Sequence, residues 1–159
     1  MTTTSSPVRF LSLSEREVIP DIIQRTLDLD IVEIHKRRWT FFTPDNVTVV
    51  RGHKIFYPRD PGPNDSVYHL AHLVHEIVHV WQYLYMGIGL YSPRWLDRRY
   101  KYTIHPEKRF GAYGLEQQAA IFEDAFRLAN DLPLRWAQNE PSAEALQKVL
   151  KTCEEDFGP

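Results

Sequence analysis

The stretch Asp65-Ser66-Val67-Tyr68-His69-Leu70-Ala71-His72-Leu73-Val74-His75-Glu76-Ile77-Val78-His79-Val80-Trp81-Gln82-Tyr83-Leu84-Tyr85-Met86-Gly87 decides how the rest of the chain is read. Asp65 or Ser66 supplies a cap, and the spacing predicts a helix over about 66–86 that ends near Gly87 and Gly89. At about 100° per residue with His69 as zero, Leu70, Leu73, Val74, Ile77, Val78, Trp81, Leu84 and Tyr85 fall between roughly 40° and 180°. His72, His75, Glu76 and His79 fall on a separate arc between roughly 240° and 340°. One arc is apolar and faces a core; the other holds candidate chemistry. Residues four apart share a helix face, so His75 and His79 can bind one ion with Glu76 beside it. This is the H-E-x-x-H pattern, in which two imidazoles hold a zinc ion and the glutamate acts as general base toward a water.

His72 and His75, three apart, can also chelate. The pair His75 and His79 is preferred because it leaves Glu76 free between the ligands, which gives His72 a supporting contact or a place at the cleft rim. His69 is expected to be solvated. A catalytic zinc takes three protein ligands plus water. His35, His53 and His105 are available, but Glu116 is the stronger candidate. It lies on a second predicted helix, about 114–130, whose Leu115, Ile121, Phe122, Ala125 and Leu128 pack one side. Glu116, Ala119, Ala120 and Glu123 line the other, with Asp124 toward its edge. The two alanines allow a close approach to the first helix.

Around these helices, residues 1–10 are expected to form a flexible tail and residues 11–159 a single domain. Ser14 and Glu17 make a capping box for a helix carrying Val18, Ile22, Ile23 and Leu27, with Pro20 tolerated early or kinking it. Ile31 to Arg37 alternates as a short strand. Val47–Val50 and Lys54–Tyr57 read as a hairpin across Arg51-Gly52-His53. Residues 58–65 are a loop. Residues 90–113 carry Pro93, Pro106, Gly111 and five rings, and read as an ordered irregular segment. Asp131-Leu132-Pro133 ends the second long helix, and a last helix starts after a Ser142 cap. Mixed elements with a small sheet make the fold class α+β.

Composition sets limits. The chain has 159 residues, 43% of them hydrophobic and 13% aromatic, as a globular protein does. Its net charge of −2 gives no global basic field for nucleic acid or an anionic membrane. The single cysteine, Cys153, excludes an intramolecular disulfide and a cysteine-based zinc cluster. No apolar run approaches eighteen residues, so no membrane insertion is expected. Met1 to Pro7 lacks the charged and apolar regions of a secretory signal, so the chain is expected to be synthesised in the cytoplasm and moved, if at all, by a dedicated machine.

His75-Glu76-Ile77-Val78-His79-Val80-Trp81-Gln82, paired with Leu115-Glu116-Gln117-Gln118-Ala119, resembles gluzincin-type zinc metallopeptidase domains associated with VgrG spike proteins of bacterial type VI secretion systems. Ile55-Phe56-Tyr57-Pro58 and the placing of Asp124 eight residues after Glu116 fit the same pattern, which covers roughly residues 45–127. The resemblance implies a zincin-like fold, with an edge strand flanking the cleft, the two-histidine helix and a second helix bearing Glu116. It implies an antibacterial effector toxin delivered into a competitor's periplasm, with a spike protein and an immunity protein as partners. This chain carries no spike module, which leaves a stand-alone effector and an excised domain both open. The resemblance also implies that Asp124 hydrogen-bonds a ligand histidine, although Glu123 lies nearer Glu116 on the wheel.

The expected activity is hydrolysis of a protein or peptide substrate. One Zn²⁺ on His75, His79 and Glu116 acidifies a water, and Glu76 takes its proton and passes it to the leaving amine. Tyr100, Tyr102, His105 and Tyr113 are the candidate oxyanion donors. An edge strand near 47–57 offers main-chain pairing to an extended peptide. The alternatives are a zinc-stabilised binding domain without turnover, a zinc amidase acting on cell wall, and a peptidase associated with nucleic acid. For the last, Arg94, Arg98, Arg99 and Lys101 supply only a short basic track.

Overall fold

A computed structural model describes residues 7–159 and has a mixed α+β architecture. The strands are β1 (Val8–Phe10), β2 (Glu33–His35), β3 (Val49–Arg51) and β4 (Lys54–Phe56), forming one sheet in the order β1-β2-β4-β3. The helices are α1 (Leu13–Glu17), α2 (Asp21–Thr26), α3 (Val67–Leu84), α4 (Leu115–Ala129) and α5 (Ala143–Phe157). β2 runs parallel to β4, and the β1–β2 and β3–β4 pairs are antiparallel. The expected hairpin is present as β3 and β4, with Gly52 at φ +60° in the two-residue turn, a conformation that favours glycine.

The N-terminal expectations need three corrections. Of residues 1–10, read as a tail, residues 1–6 lie outside the described residues, and Val8–Phe10 pair with β2 as an edge strand. Three residues are too few to show a period in sequence. The capping box is Ser12 with Glu15, not Ser14 with Glu17: Glu15 N donates to Ser12 Oγ and Ser12 N donates to Glu15 Oε2. Both pairs have the same spacing, and the register that buries Glu15 against Arg9 and His69 prevails. The single helix expected across Pro20 is two, because proline has no N–H to donate and sits as the cap of α2.

α3 packs most extensively against α4, where Ala119 and Ala120 are wholly buried, as the small-residue face requires. Its apolar side meets Ile34, Val50 and Ile55 from the sheet and Ile22 and Ile23 from α2 in one core. Trp81 is fully buried, with its indole N–H donating to Thr26 Oγ1 at 2.9 Å. α5 starts at a Ser142 cap and buries Leu146, Val149 and Cys153; burial pushes the Cys153 thiol up to about 12. The segment between α3 and α4 is ordered but mostly irregular. It holds 3₁₀ turns at Pro93–Leu96 and Phe110–Ala112 and a bridge from Tyr102 to Ala137. No helix among the described residues is long and apolar enough to cross a membrane.

Candidate metal centre

The polar arc of α3 does not face open solvent. α4 and the segment before it roof it over, so His75, Glu76 and His79 are all buried. Glu116, in the first turn of α4, reaches across. Its Oε2 is 2.9 Å from His79 Nε2 and 3.3 Å from His75 Nε2. One donor atom from each of the three residues lies within 4.8 Å of the others. A tetrahedral zinc with arms of about 2.0–2.1 Å sets its donors roughly 3.3 Å apart, so these separations fit such an ion.

The outer ring nitrogens are also engaged. His79 Nδ1 is 2.8 Å from Gln82 Oε1, and Gln82 Nε2 donates to Leu115 O and Gln118 Oε1. Gln82 is thereby a fully buried tie between α3 and the start of α4. His75 Nδ1 lies 3.1 Å from Glu123 Oε2, an ion-pair contact rather than a well-aligned hydrogen bond. Acceptors on the outer nitrogens hold the inner ones toward a common point, as supporting groups do at metal sites. Two imidazoles and a carboxylate, with one side open to a cleft, form a donor set that fits a divalent metal ion, zinc included.

Electrostatics agree with a place for a cation. Burial opposes charge on His75, but Glu116 and Glu123 outweigh it and push the imidazole up to about 9. Burial likewise works against the Glu116 carboxylate, yet His75 and His79 hold it well below the ordinary carboxylate range. Glu123 is lowered in the same way: burial raises it, and His75, Trp136 and Arg135 more than compensate.

The remaining candidates separate clearly. His72 lies beside Glu76, with Nε2 3.0 Å from Thr48 Oγ1 and 3.6 Å from Glu76 Oε1; burial lowers its pKa. His69, expected in solvent, is buried 2.7 Å from Glu15 Oε1. Asp124, expected against a histidine of the cluster, touches neither His75 nor His79. Its carboxylate accepts the backbone N–H groups of Arg135, Trp136 and Ala137 and the Tyr102 hydroxyl. Glu123 occupies the place expected for it. Tyr102 is therefore spent on Asp124, Tyr113 donates to Thr103 O, and His105 is exposed away from the cluster.

Tyr100 is the ring that reaches the site. It stacks on His75 at 5.7 Å and on Trp136 at 4.9 Å. Trp136 is itself fixed by an indole N–H donated to Glu123 Oε2 at 2.6 Å. Burial and the nearby Glu116 and Glu76 carboxylates push the Tyr100 hydroxyl up to about 12, so it stays a donor at neutral pH. The sequence does not single out Gln82 or Trp136, whereas Glu123 is legible from its place nearer Glu116 on the wheel. For Gln82 a signal existed, since it follows His79 by three residues on the same face.

The cluster forms the floor of a cavity of about 370 Å³. β3, the edge strand, makes one wall, and Trp95, Arg98 and Tyr100 make the other. Other hollows of comparable size, between α2, α4 and α5 and around Asp97 and Lys108, do not bring two imidazoles and a carboxylate together.

The fold and site thus define an α+β protein with a two-histidine, one-glutamate cluster compatible with metal binding at the base of a cleft. No family model matches the chain, and no curated protein matches it. Among solved structures it is similar to the effector domain of Pseudomonas aeruginosa VgrG2b, with a TM-score of 0.62 and 25% identity over 77% of this chain and 75% of that one.

Proposed function

We propose that the protein is a zinc-dependent peptidase that serves as an effector of a type VI secretion system. The meeting of His75, His79 and Glu116 at one point, with Glu76 beside them in a cleft, carries the catalytic part of this reading. The likeness to the VgrG2b effector domain supports the effector role, delivery by a dedicated machine, and partnership with a spike protein and an immunity protein.

His75, His79 and Glu116 would hold the ion, which when bound supplies a Lewis acid for the scissile carbonyl and a more acidic water. Glu76 accepts the water's proton and delivers it to the leaving amide nitrogen; proton transfer of this kind contributes about 10²–10⁴ in rate. The Tyr100 hydroxyl donates to the carbonyl oxygen as negative charge develops there. Glu123 and Gln82 orient the two imidazoles. The free edge of β3 offers main-chain pairing to an extended peptide, as supported by its place at the sheet margin and in the cleft wall.

The test is cleavage of an unfolded protein substrate by wild type and Glu76→Gln. The expected result is chelator-sensitive cleavage by wild type and a loss of at least about 10²-fold in Glu76→Gln, whose metal content is unchanged. Equal cleavage by both would contradict the mechanism. Function retained without turnover would favour a zinc-stabilised binding domain.

A further inference from the structure

The chain's net charge of −2 conceals a strong polarity. Residues 36–42 and 90–101 together hold seven Lys or Arg and one acid, Asp97, a local charge of +6; the other 140 residues therefore carry −8. These two segments are the lips of the cleft. Trp39 and Phe42 line it from one side, Leu90, Trp95 and Arg98 from the other.

The same lips hold an unusual share of exposed apolar surface. Of the thirteen exposed large hydrophobic residues among the described residues, six lie on these 19 positions: Trp39, Phe41, Phe42, Leu90, Tyr91 and Leu96. Phe41 is 80% exposed, Phe42 90%, Tyr91 93% and Leu96 82%. The Phe41 and Phe42 rings pack edge to face at 5.6 Å. Arg38 lies 5.6 Å over Phe41 and Arg51 4.0 Å over Trp39, so the aromatic lip is braced by cations while its rings remain in solvent. Exposed apolar side chains gathered along the lips of one cleft are the kind of surface that marks an interaction site.

We propose that both lips dock onto the surface of an anionic phospholipid bilayer, holding the cleft against it. Aromatic and leucine side chains enter the region between headgroups and acyl chains, and the surrounding Lys and Arg pair with anionic headgroups. Aliphatic Leu90 and Leu96 favour a bilayer over single-stranded nucleic acid, whose bases take flat rings and guanidinium groups. This goes beyond the proposed peptidase reading and stands without turnover; with it, the cleft meets polypeptides that lie at or emerge from a membrane.

The experiment is flotation of the full chain with vesicles of phosphatidylethanolamine and phosphatidylglycerol, beside vesicles of phosphatidylcholine alone. Wild type is expected to float with the anionic vesicles and to be released when salt rises from about 0.15 M to about 1 M, where charge is screened within roughly 3 Å. Three exposed-site variants, Phe41→Ser with Phe42→Ser, Tyr91→Ser with Leu96→Ser, and Arg38→Glu with Arg94→Glu, should each weaken binding by at least about tenfold while keeping the wild-type thermal midpoint. Failure of wild type to bind anionic vesicles, or equal binding by all three variants, would overturn the proposal. So would binding of a single-stranded oligonucleotide or an unfolded apolar protein without vesicle binding, which would assign the lips to those partners.

Discussion

α3 carries two buried histidine–carboxylate clusters two turns apart, and they are built to opposite ends. At its start, His69 meets Glu15, and Arg9 bonds the carboxylates of both Glu15 and Asp60 at 2.8–2.9 Å. The protein's own guanidinium fills the place of the cation, and the cluster is sealed. Farther along, Glu116 has only His75 and His79 as ion-pair partners among the described residues, and the cluster opens to a cleft. A buried acid answered by a resident arginine is a fold element. A partly buried acid whose ion-pair partners are imidazoles, with an open side, is compatible with a cation from outside.

That contrast can be broken by mutation. Glu116→Gln should have the largest effect, removing the metal and lowering peptide hydrolysis by more than about 10³-fold, as read from metal analysis and kcat/KM. Glu15→Gln should leave metal content intact yet destabilise the fold by about 3–5 kcal/mol, measured by denaturant unfolding, because Arg9 and His69 lose the buried carboxylate charge and an NH₂ donor replaces one of its two acceptor oxygens. Tyr100→Phe should lower kcat by about a hundredfold with little change in KM and none in metal content. Glu123→Gln should weaken metal affinity by about 10–100-fold without unfolding the chain, as measured by chelator competition.

The sealed cluster also sets an acid limit. Burial would raise the Glu15 carboxyl, but His69, Arg9 and the Ser12 backbone lower it from 4.5 to about 2. A depressed carboxyl contributes stability above its unfolded value and loses it as pH falls toward the folded one. Stability should therefore decline from about pH 4.5 to 2, and Glu15→Gln should flatten that decline.

What could be read in advance followed from local spacing. The i, i+4 pair of His75 and His79, Glu76 between them, and the alanine face that brings Glu116 close all lie within single helices. What could not be read depends on partners far along the chain. His69 looked solvated because Glu15 lies 54 residues away. Asp124 and Glu123 are adjacent in sequence but point about 100° apart on a helix, and only the return of residues 135–137 consumes Asp124 and leaves Glu123 for His75. The choice of Tyr100 over Tyr102 and Tyr113 rests on the path of an irregular segment, where no periodicity operates.

The most direct test is the metal content of purified wild type, Glu76→Gln and Glu116→Gln after reconstitution with zinc. One equivalent in wild type and Glu76→Gln, with none held by Glu116→Gln, is the predicted result. A wild type that holds no zinc, or a Glu116→Gln variant that holds it as tightly as wild type, would contradict a metal centre built on His75, His79 and Glu116.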